Sequence, residues 1–420
     1  MKKLIVIISL YLLIAAGCTT SEKENKPNSA VIQDNTVLEF YYRESNHIFF
    51  DQIVNEYEQR YPTIKINHYP IDNTLYFEKV TSSLESNEEV DVFDSGNITE
   101  YAYYVDNAYI YPIDDLLKRD HVNVVPYGPI FDEITMDGKI YGLPFITSSW
   151  VLFYNKDIFD ELGVEYPNSK MTWDEFRELA GKVTFETSDK KIYGAYLHTW
   201  PQCWYGLALQ TGASMIDIDL EPFEDALQYR IDLQKDGFIM PYSYAVDNNK
   251  HYKDVFVNEE AAMIPIGEWM IEQLRTAEKD GTLNFDWDIV PMPHPENVEP
   301  NITWGMSAQL MINKETIHLE EVWDFVKFAS GQEGAKIFAR NGRLPAYQTD
   351  DIKDIFTGQG GKPQNIDIIF DQKVYMEMPA VGKSYLFNDI FDEESEKALR
   401  NESTVEEAIQ TIEKRIKEDY

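Results

Sequence analysis

The sequence predicts an α/β protein of more than one domain. Three observations carry this. A chain of 420 residues is too long for one ordinary core. Residues 37–93 alternate strand and helix patterns, and a second α/β region follows further on. Between the two lies the apolar stretch YGLPFITSSWVLFYNK, residues 141–156, which Thr147, Ser148 and Ser149 interrupt at its middle. A buried run that stops on small polar residues and then resumes fits a chain crossing from one lobe to another over the floor of a cleft.

Residues 37–42 are apolar and aromatic, a strand. Ile48, Phe49, Ile53, Val54 and Tyr57 recur at helical spacing, and Pro62 stops that helix. Residues 64–69 alternate as a second strand. A helix around 75–84 leads to a short third strand at 90–93. Strands joined by helical crossovers lie parallel, and such sheets bind ligands beyond their carboxyl ends. Those ends carry Arg43, Glu44, Ser45 and Asn46, then Asp72 and Asn73, then Asp94, Ser95, Gly96 and Asn97. Turn chemistry alone also favours such residues. Further on, Thr172 and Glu175 form a capping box before a helix. Another helix runs from about Ala226 and ends near Gly237. Residues 287–293 return as a strand, and residues 304–313 read as a second apolar crossing. Residues 321–329 and 333–340 are helical, and Thr404 with Glu407 makes a second capping box before the last helix.

The formal charge of −36 excludes a nucleic-acid groove and a basic membrane-docking face. The acidity reads as a solubilising surface, and a site for cations is the sharper alternative. Lys2 and Lys3, the apolar run 4–16 and the small residues before Cys18 form a signal peptide over residues 1–17. The Cys18 context resembles a bacterial lipobox, which implies cleavage before Cys18 and acylation of its thiol, hence a membrane anchor. Residues 18–36 then form the anchor and a tether, and 19–36 contain no aromatic residue. With Cys18 acylated, Cys203 has no partner and reads as a small buried side chain.

A search for catalytic chemistry is nearly empty. There is no HExxH, paired CxxC, GxSxG or GxxxxGK[ST] pattern. Gly358–Gly361 reads as a loop. Asp217, Asp219 and Glu221 only faintly resemble a calcium loop, since its central Gly and twelfth-position Glu are missing. No cofactor and no metal are expected. What stands out is aromatic residues at element ends, among them Trp150, Trp200, Trp204, Trp269, Trp304, Tyr385 and Phe387. Aromatic rings cover the C–H face of a sugar, while planar polar side chains bond its hydroxyl edge. Core packing is the competing explanation for each tryptophan.

The segments MDGKIYGLPFITSSWVLFYNKDIFDELGV (136–164), YIYPIDDLL (109–117), TWDEFRELAGKVT (172–184), AAMIPIGEW (261–269) and DWDIVPMP (286–293) are joined by WGMSAQLMIN (304–313), EEVWDFVKFASGQEGAKIFARNGRLPAY (320–347) and the C-terminal helix. Their order and spacing resemble the family 1 extracellular solute-binding proteins, the capture subunits of ABC importers, mainly for sugars. The resemblance implies a two-lobed, periplasmic-binding-protein-like α/β fold with the ligand between lobes that close around it. It implies one lobe of residues 37–147 plus 308–331 and another of 148–307 plus 332–420. The hinge would pass through Thr147, Ser148 and Ser149, then 306–308, then 330–333. By position it implies ligand contacts from Arg43, Asn46, Asp94, Trp150, Trp200, Trp204, Gly267, Glu268, Trp269, Trp304, Gly305, Arg343 and Tyr385. It also implies a monomeric binder, lipid-anchored on the outer face of a bacterial membrane, that delivers a carbohydrate, an oligosaccharide by expectation, to a membrane-embedded ABC permease without catalysis. A cationic or polyol-like solute such as a polyamine is the runner-up, and a surface glycosidase comes after it.

Overall fold

The computed structural model describes residues 36–216 and 219–419. The expected leader, Cys18 and the expected tether up to residue 35 lie outside the described residues, as do Asp217 and Ile218 of the faint calcium pattern. Thr36, expected as the last tether residue, opens the first strand.

In chain order the strands are β1 (Thr36–Arg43), β2 (Ile64–Ile71), β3 (Val92–Asp94), β4 (Gly142–Thr147), β5 (Trp150–Asn155), β6 (Phe185–Glu186), β7 (Lys191–Ala195), β8 (Ala261–Gly267), β9 (Trp287–Pro291), β10 (Ile302–Gly305), β11 (Ser307–Ile312) and β12 (Lys373–Met376). They form two five-stranded sheets and one pair. The first sheet runs β2-β1-β3-β11-β4, and the second runs β6-β7-β8-β5-β9. In the first, β1 lies parallel to both β2 and β3, while β11 is antiparallel to β3 and β4. The order β2-β1-β3 reverses direction at β1, and that reversal opens a crevice at the carboxyl ends of the strands. Pro144 is tolerated because β4 is an edge strand.

The helix His47–Arg60 buries Phe49, Ile53, Val54 and Tyr57 of the expected stripe, but Phe50 rather than Ile48, which is exposed at the edge of the buried face. The helices Tyr76–Glu85, Trp173–Lys182 and Glu221–Lys235 also fall where the sequence placed them. Both capping boxes form: Thr172 Oγ1 accepts from Glu175 N, and Thr404 Oγ1 accepts from Glu407 N at 3.1 Å.

The interrupted stretch passes from sheet to sheet. β4 and β5 are buried throughout, one in each sheet, and only Ser148 and Ser149 separate them. Met306 likewise separates β10, which packs on β5, from β11 of the first sheet. The two crossings are bonded side by side. Ser148 N donates to Met306 O at 2.9 Å, and Met306 N donates to Ser148 Oγ at 2.9 Å. Gly305 is required here, because a Cβ on it would stand 2.1 Å from the carbonyl oxygen of Ser148.

The expected third crossing at residues 330–333 needs correction. Those residues join the helix Leu319–Ser330 to the helix Gln332–Arg340, and both pack on the first sheet. Phe338 of the second of these helices sits among Phe49, Phe50 and Phe145. Apolar burial holds the chain on the first lobe at least as far as Tyr347, whose ring meets Tyr127 at 5.2 Å.

Candidate functional site

A cavity of about 410 Å³ opens between the carboxyl ends of the first sheet and the second lobe. One wall is polar and comes from the loops after β1, β2 and β3: Ser45, Asn46, Asn73 and Gly96, with Phe49 beneath. The other wall is aromatic: Trp200, Tyr252 and Trp269, with Glu272 and Gln273. Met306, Gly342 and Arg343 close the floor.

The polar wall stands on an ionic frame centred on a buried carboxylate. Asp94, fully buried, accepts from Arg43 Nη1 at 2.9 Å, from Arg43 N at 3.2 Å and from Asn46 Nδ2 at 3.2 Å. Arg43 also pairs with Glu100 at 2.5 Å and lies over the Tyr76 ring at 4.1 Å. Glu100 in turn accepts from Gly96 N at 2.9 Å. Arg43 and Asp94 therefore spend their charges on each other and on the loops, and they do not line the cavity. This corrects the expectation of direct contact, for a simple electrostatic reason: a buried carboxylate needs its cation close.

The aromatic wall is assembled around one phenol. Tyr252 Oη accepts from Trp269 Nε1 at 3.1 Å and from Gln273 Nε2 at 3.0 Å. Trp269 folds back over Gly267, where any Cβ would meet its ring at 1.8 Å. Trp200 stands 6.3 Å from Trp269 and 5.7 Å from Tyr252, and it is 39% exposed. Trp150 lies behind, edge-on to Trp269 at 5.8 Å and stacked on Trp304 at 5.3 Å.

Of the expected contacts, Asn46, Trp200, Trp269 and Arg343 meet in the cavity. Trp150, Trp204 and Trp304 are each 1% exposed and belong to the core. Trp204 stacks on Phe391, and Trp150 Nε1 donates to Glu377 at 2.8 Å. Gly267 and Gly305 act through space, one beneath Trp269 and the other at the crossing. Tyr385 packs edge-on to Tyr103 at 5.3 Å, away from the cavity lining, because the helix Ser384–Leu399 leans on the helix Ile98–Asp106. Tyr252, Glu272 and Gln273 escaped the sequence reading, and Phe49 was read only as part of a helical stripe. Gln273 had a signal, since it lies four residues beyond Trp269, on the same face of the helix Met270–Asp280.

Beneath the floor lies Glu268, fully buried. Its Oε2 accepts from Ser149 N at 2.9 Å, and its own N–H donates to Ser149 O at 3.0 Å, which ties β8 to the crossing. Its Oε1 has no hydrogen-bond partner, and Arg343 Nη1 is 3.8 Å away. Burial pushes the Glu268 carboxyl up to about 7, against the pull of Arg343. Burial likewise pushes Glu377 up to about 7, opposed by hydrogen bonds from Trp150 and Gln202.

Among the described residues, no group of three or more His, Cys, Asp or Glu could hold a metal ion. No helix among them is long and apolar enough to cross a membrane. The cavity lining carries one carboxylate, Glu272, whereas glycoside hydrolysis uses two flanking the scissile bond.

The family model of the bacterial extracellular solute-binding proteins matches residues 44–336. The chain belongs to this family. It is 24% identical over 353 residues to an arabinooligosaccharide-binding protein of Bacillus subtilis strain 168, covering 79% of this chain and 77% of the relative. It is 22% identical over 346 residues to a multiple sugar-binding protein of Streptococcus mutans, covering 77% of each. Among solved structures, a sugar transporter of Rhizobium etli in an open conformation superposes with a TM-score of 0.81 at 27% identity, covering 91% of this chain and 99% of that one. A substrate-binding protein of Listeria monocytogenes in complex with cycloalternan superposes with a TM-score of 0.81 at 24% identity, covering 92% and 99%. This solute-binding protein thus has the two-domain fold the sequence led one to expect, and its relatives are binding proteins rather than enzymes.

Proposed function

We propose that this solute-binding protein captures a carbohydrate, in particular an oligosaccharide, in the cleft and delivers it to a membrane-embedded ABC permease. In this reading the protein is a monomer held at the outer face of the membrane by a lipid on Cys18. The observation that carries the proposal is the pairing of walls. Trp200, Tyr252 and Trp269 offer ring faces to the C–H surface of a sugar. Asn46, Asn73, Gln273 and Arg343 offer planar donors and acceptors for vicinal hydroxyls. The volume of 410 Å³ falls within the roughly 300–1,000 Å³ of small-ligand sites. The relatives named for arabino-oligosaccharides and multiple sugars, and the neighbour bound to cycloalternan, support the same class.

The chain's acidity does not concentrate in the cleft. Its lining holds Glu272 and Arg343, whose charges offset one another, so a cationic solute has no electrostatic advantage there. In the proposed cycle, ligand bridging the walls draws the lobes together about Thr147, Ser148 and Ser149, which do not line the cavity. Thermal unfolding with arabino-, manno- and malto-oligosaccharides, in parallel with spermidine and a polyol, tests the class. A saturable rise in Tm with one saccharide series supports it. A rise with spermidine alone overturns it.

A further inference from the structure

The helix Glu221–Lys235 carries an arginine that does not line the cleft. Arg230 is 1% exposed. The ionisable groups facing it are Cys203, Tyr242 and Tyr196, with His198 beside them. None carries a negative charge at neutral pH: burial pushes the Cys203 thiol up to about 12, raises both tyrosines and holds His198 near 3. A buried charge without a counter-ion is expensive. The guanidinium lies 5.5 Å from the Tyr242 ring, a partial compensation.

Its hydrogen bonds go to one place. Nη1 donates to His198 O at 2.9 Å, Nη2 donates to Leu197 O at 3.1 Å, and Nε has no partner. Those carbonyls sit between β7 and the helix Gln202–Gln210, in a stretch with no ladder or helix of its own. Trp200 is two residues on. The His198 ring meets Trp200 edge-on at 4.7 Å and Tyr252 at 5.4 Å. Tyr196 Oη, 3.1 Å from His198 Nδ1, donates to Lys250 O at 2.6 Å and so reaches the loop that leads into the helix Tyr252–Val257.

We propose that Arg230 is a positioning residue for the cleft: it clamps the backbone at 197–198 so that Trp200 stands in one orientation beside Tyr252 and Trp269. The energetic logic is that of a site-building group. The charge is costly where it sits, and what it secures is the register of a segment that belongs to no strand or helix. The link from that register to sugar affinity rests on the carbohydrate reading above. The link from Arg230 to Trp200 does not.

The test uses the full chain labelled with 5-fluorotryptophan and observed by ¹⁹F NMR. Trp200→Phe assigns the Trp200 line. In Arg230→Met, which removes both donors, the Trp200 line broadens and shifts while those of Trp287 and Trp323 stay in place. Arg230→Lys, which keeps the charge but loses the fork, gives a smaller change in the same direction. Titration with arabinotriose then shows affinity lower by about tenfold or more in Arg230→Met, with Tm changed by only a few degrees. The proposal is overturned if the Trp200 line is unmoved in both variants. It is equally overturned if all tryptophan lines change together in both, since Arg230 would then be a plain stability residue. If the parent protein binds no arabinotriose, the carbohydrate reading suffers, and the ¹⁹F spectra still decide the role of Arg230.

Discussion

On the first-lobe wall, Asn46 and Gly96 stand on loops tied to the buried Asp94 and its partly buried partners Arg43 and Glu100. On the second-lobe wall, Trp269 and Gln273 share the hydroxyl of Tyr252, and the tryptophans lean on one another without a single ion pair between them. The first arrangement stakes much of its stability on one carboxylate. The second spreads small contributions over many ring contacts and one phenol. Damage to the polar wall should therefore register mainly in folding, and damage to the aromatic wall mainly in binding.

The largest expected effect is on Asp94. Asp94→Ala leaves Arg43 beside Glu100 alone and strips Asn46 of its acceptor, so stability should fall by about 3–5 kcal/mol, measured by urea unfolding. A loss under a third of that would mean that Glu100 alone can hold the frame. Trp269→Ala comes next and acts on the other side. Affinity for the bound saccharide should fall by the equivalent of about 1–3 kcal/mol, as for stacking platforms elsewhere, and more than stability does. Calorimetric titration alongside a melting curve separates the two. Unchanged affinity with a collapsed Tm would place Trp269 in the core.

Proton linkage probes the point where the walls meet. Glu268 and Glu377 have folded pKa values near 7 against an ordinary 4.5, so folding favours their protonated forms. The stability they add is complete below about pH 4.5 and is lost as pH rises to about 7, with a slope of at most about 1.4 kcal/mol per pH unit for each group. Denaturant titrations at pH 4.5, 6 and 8 should show Glu268→Gln with a visibly shallower decline than the parent. Identical slopes would mean that Glu268 is ionised in the fold. The smallest effect is expected at the crossing. Ser148→Ile loses the bond from Met306 N, worth about 1 kcal/mol, and stiffens the strand. Affinity should then shift severalfold although Ser148 does not line the cavity.

Much of the fold was legible in the sequence because its signals are local. The stripe Phe49-Ile53-Val54-Tyr57 (though not Ile48, which is exposed), the capping box at Thr172 and the break at Ser148 and Ser149 each state their own geometry. The third crossing was misplaced because nothing local marks Gln332–Arg340 as first-lobe chain. Only its packing through Phe338 on Phe49 and Phe145 does so. The site was legible by loop and less so by residue. The polar ends of β1, β2 and β3 were found, yet Arg43 and Asp94 proved to be props behind them. Trp150, Trp204 and Trp304 resembled Trp269 in sequence, and only burial separates them. Tyr252 was missed because its role depends on Trp269 and Gln273 converging on its hydroxyl, which no spacing encodes.

A sugar that bridges the polar and aromatic walls should draw the lobes together. Small-angle X-ray scattering of the protein, with and without a saturating oligosaccharide that raises its Tm, tests this most directly. Closure around the sugar gives a smaller radius of gyration in the bound state. Superimposable curves from free and saturated protein would contradict it.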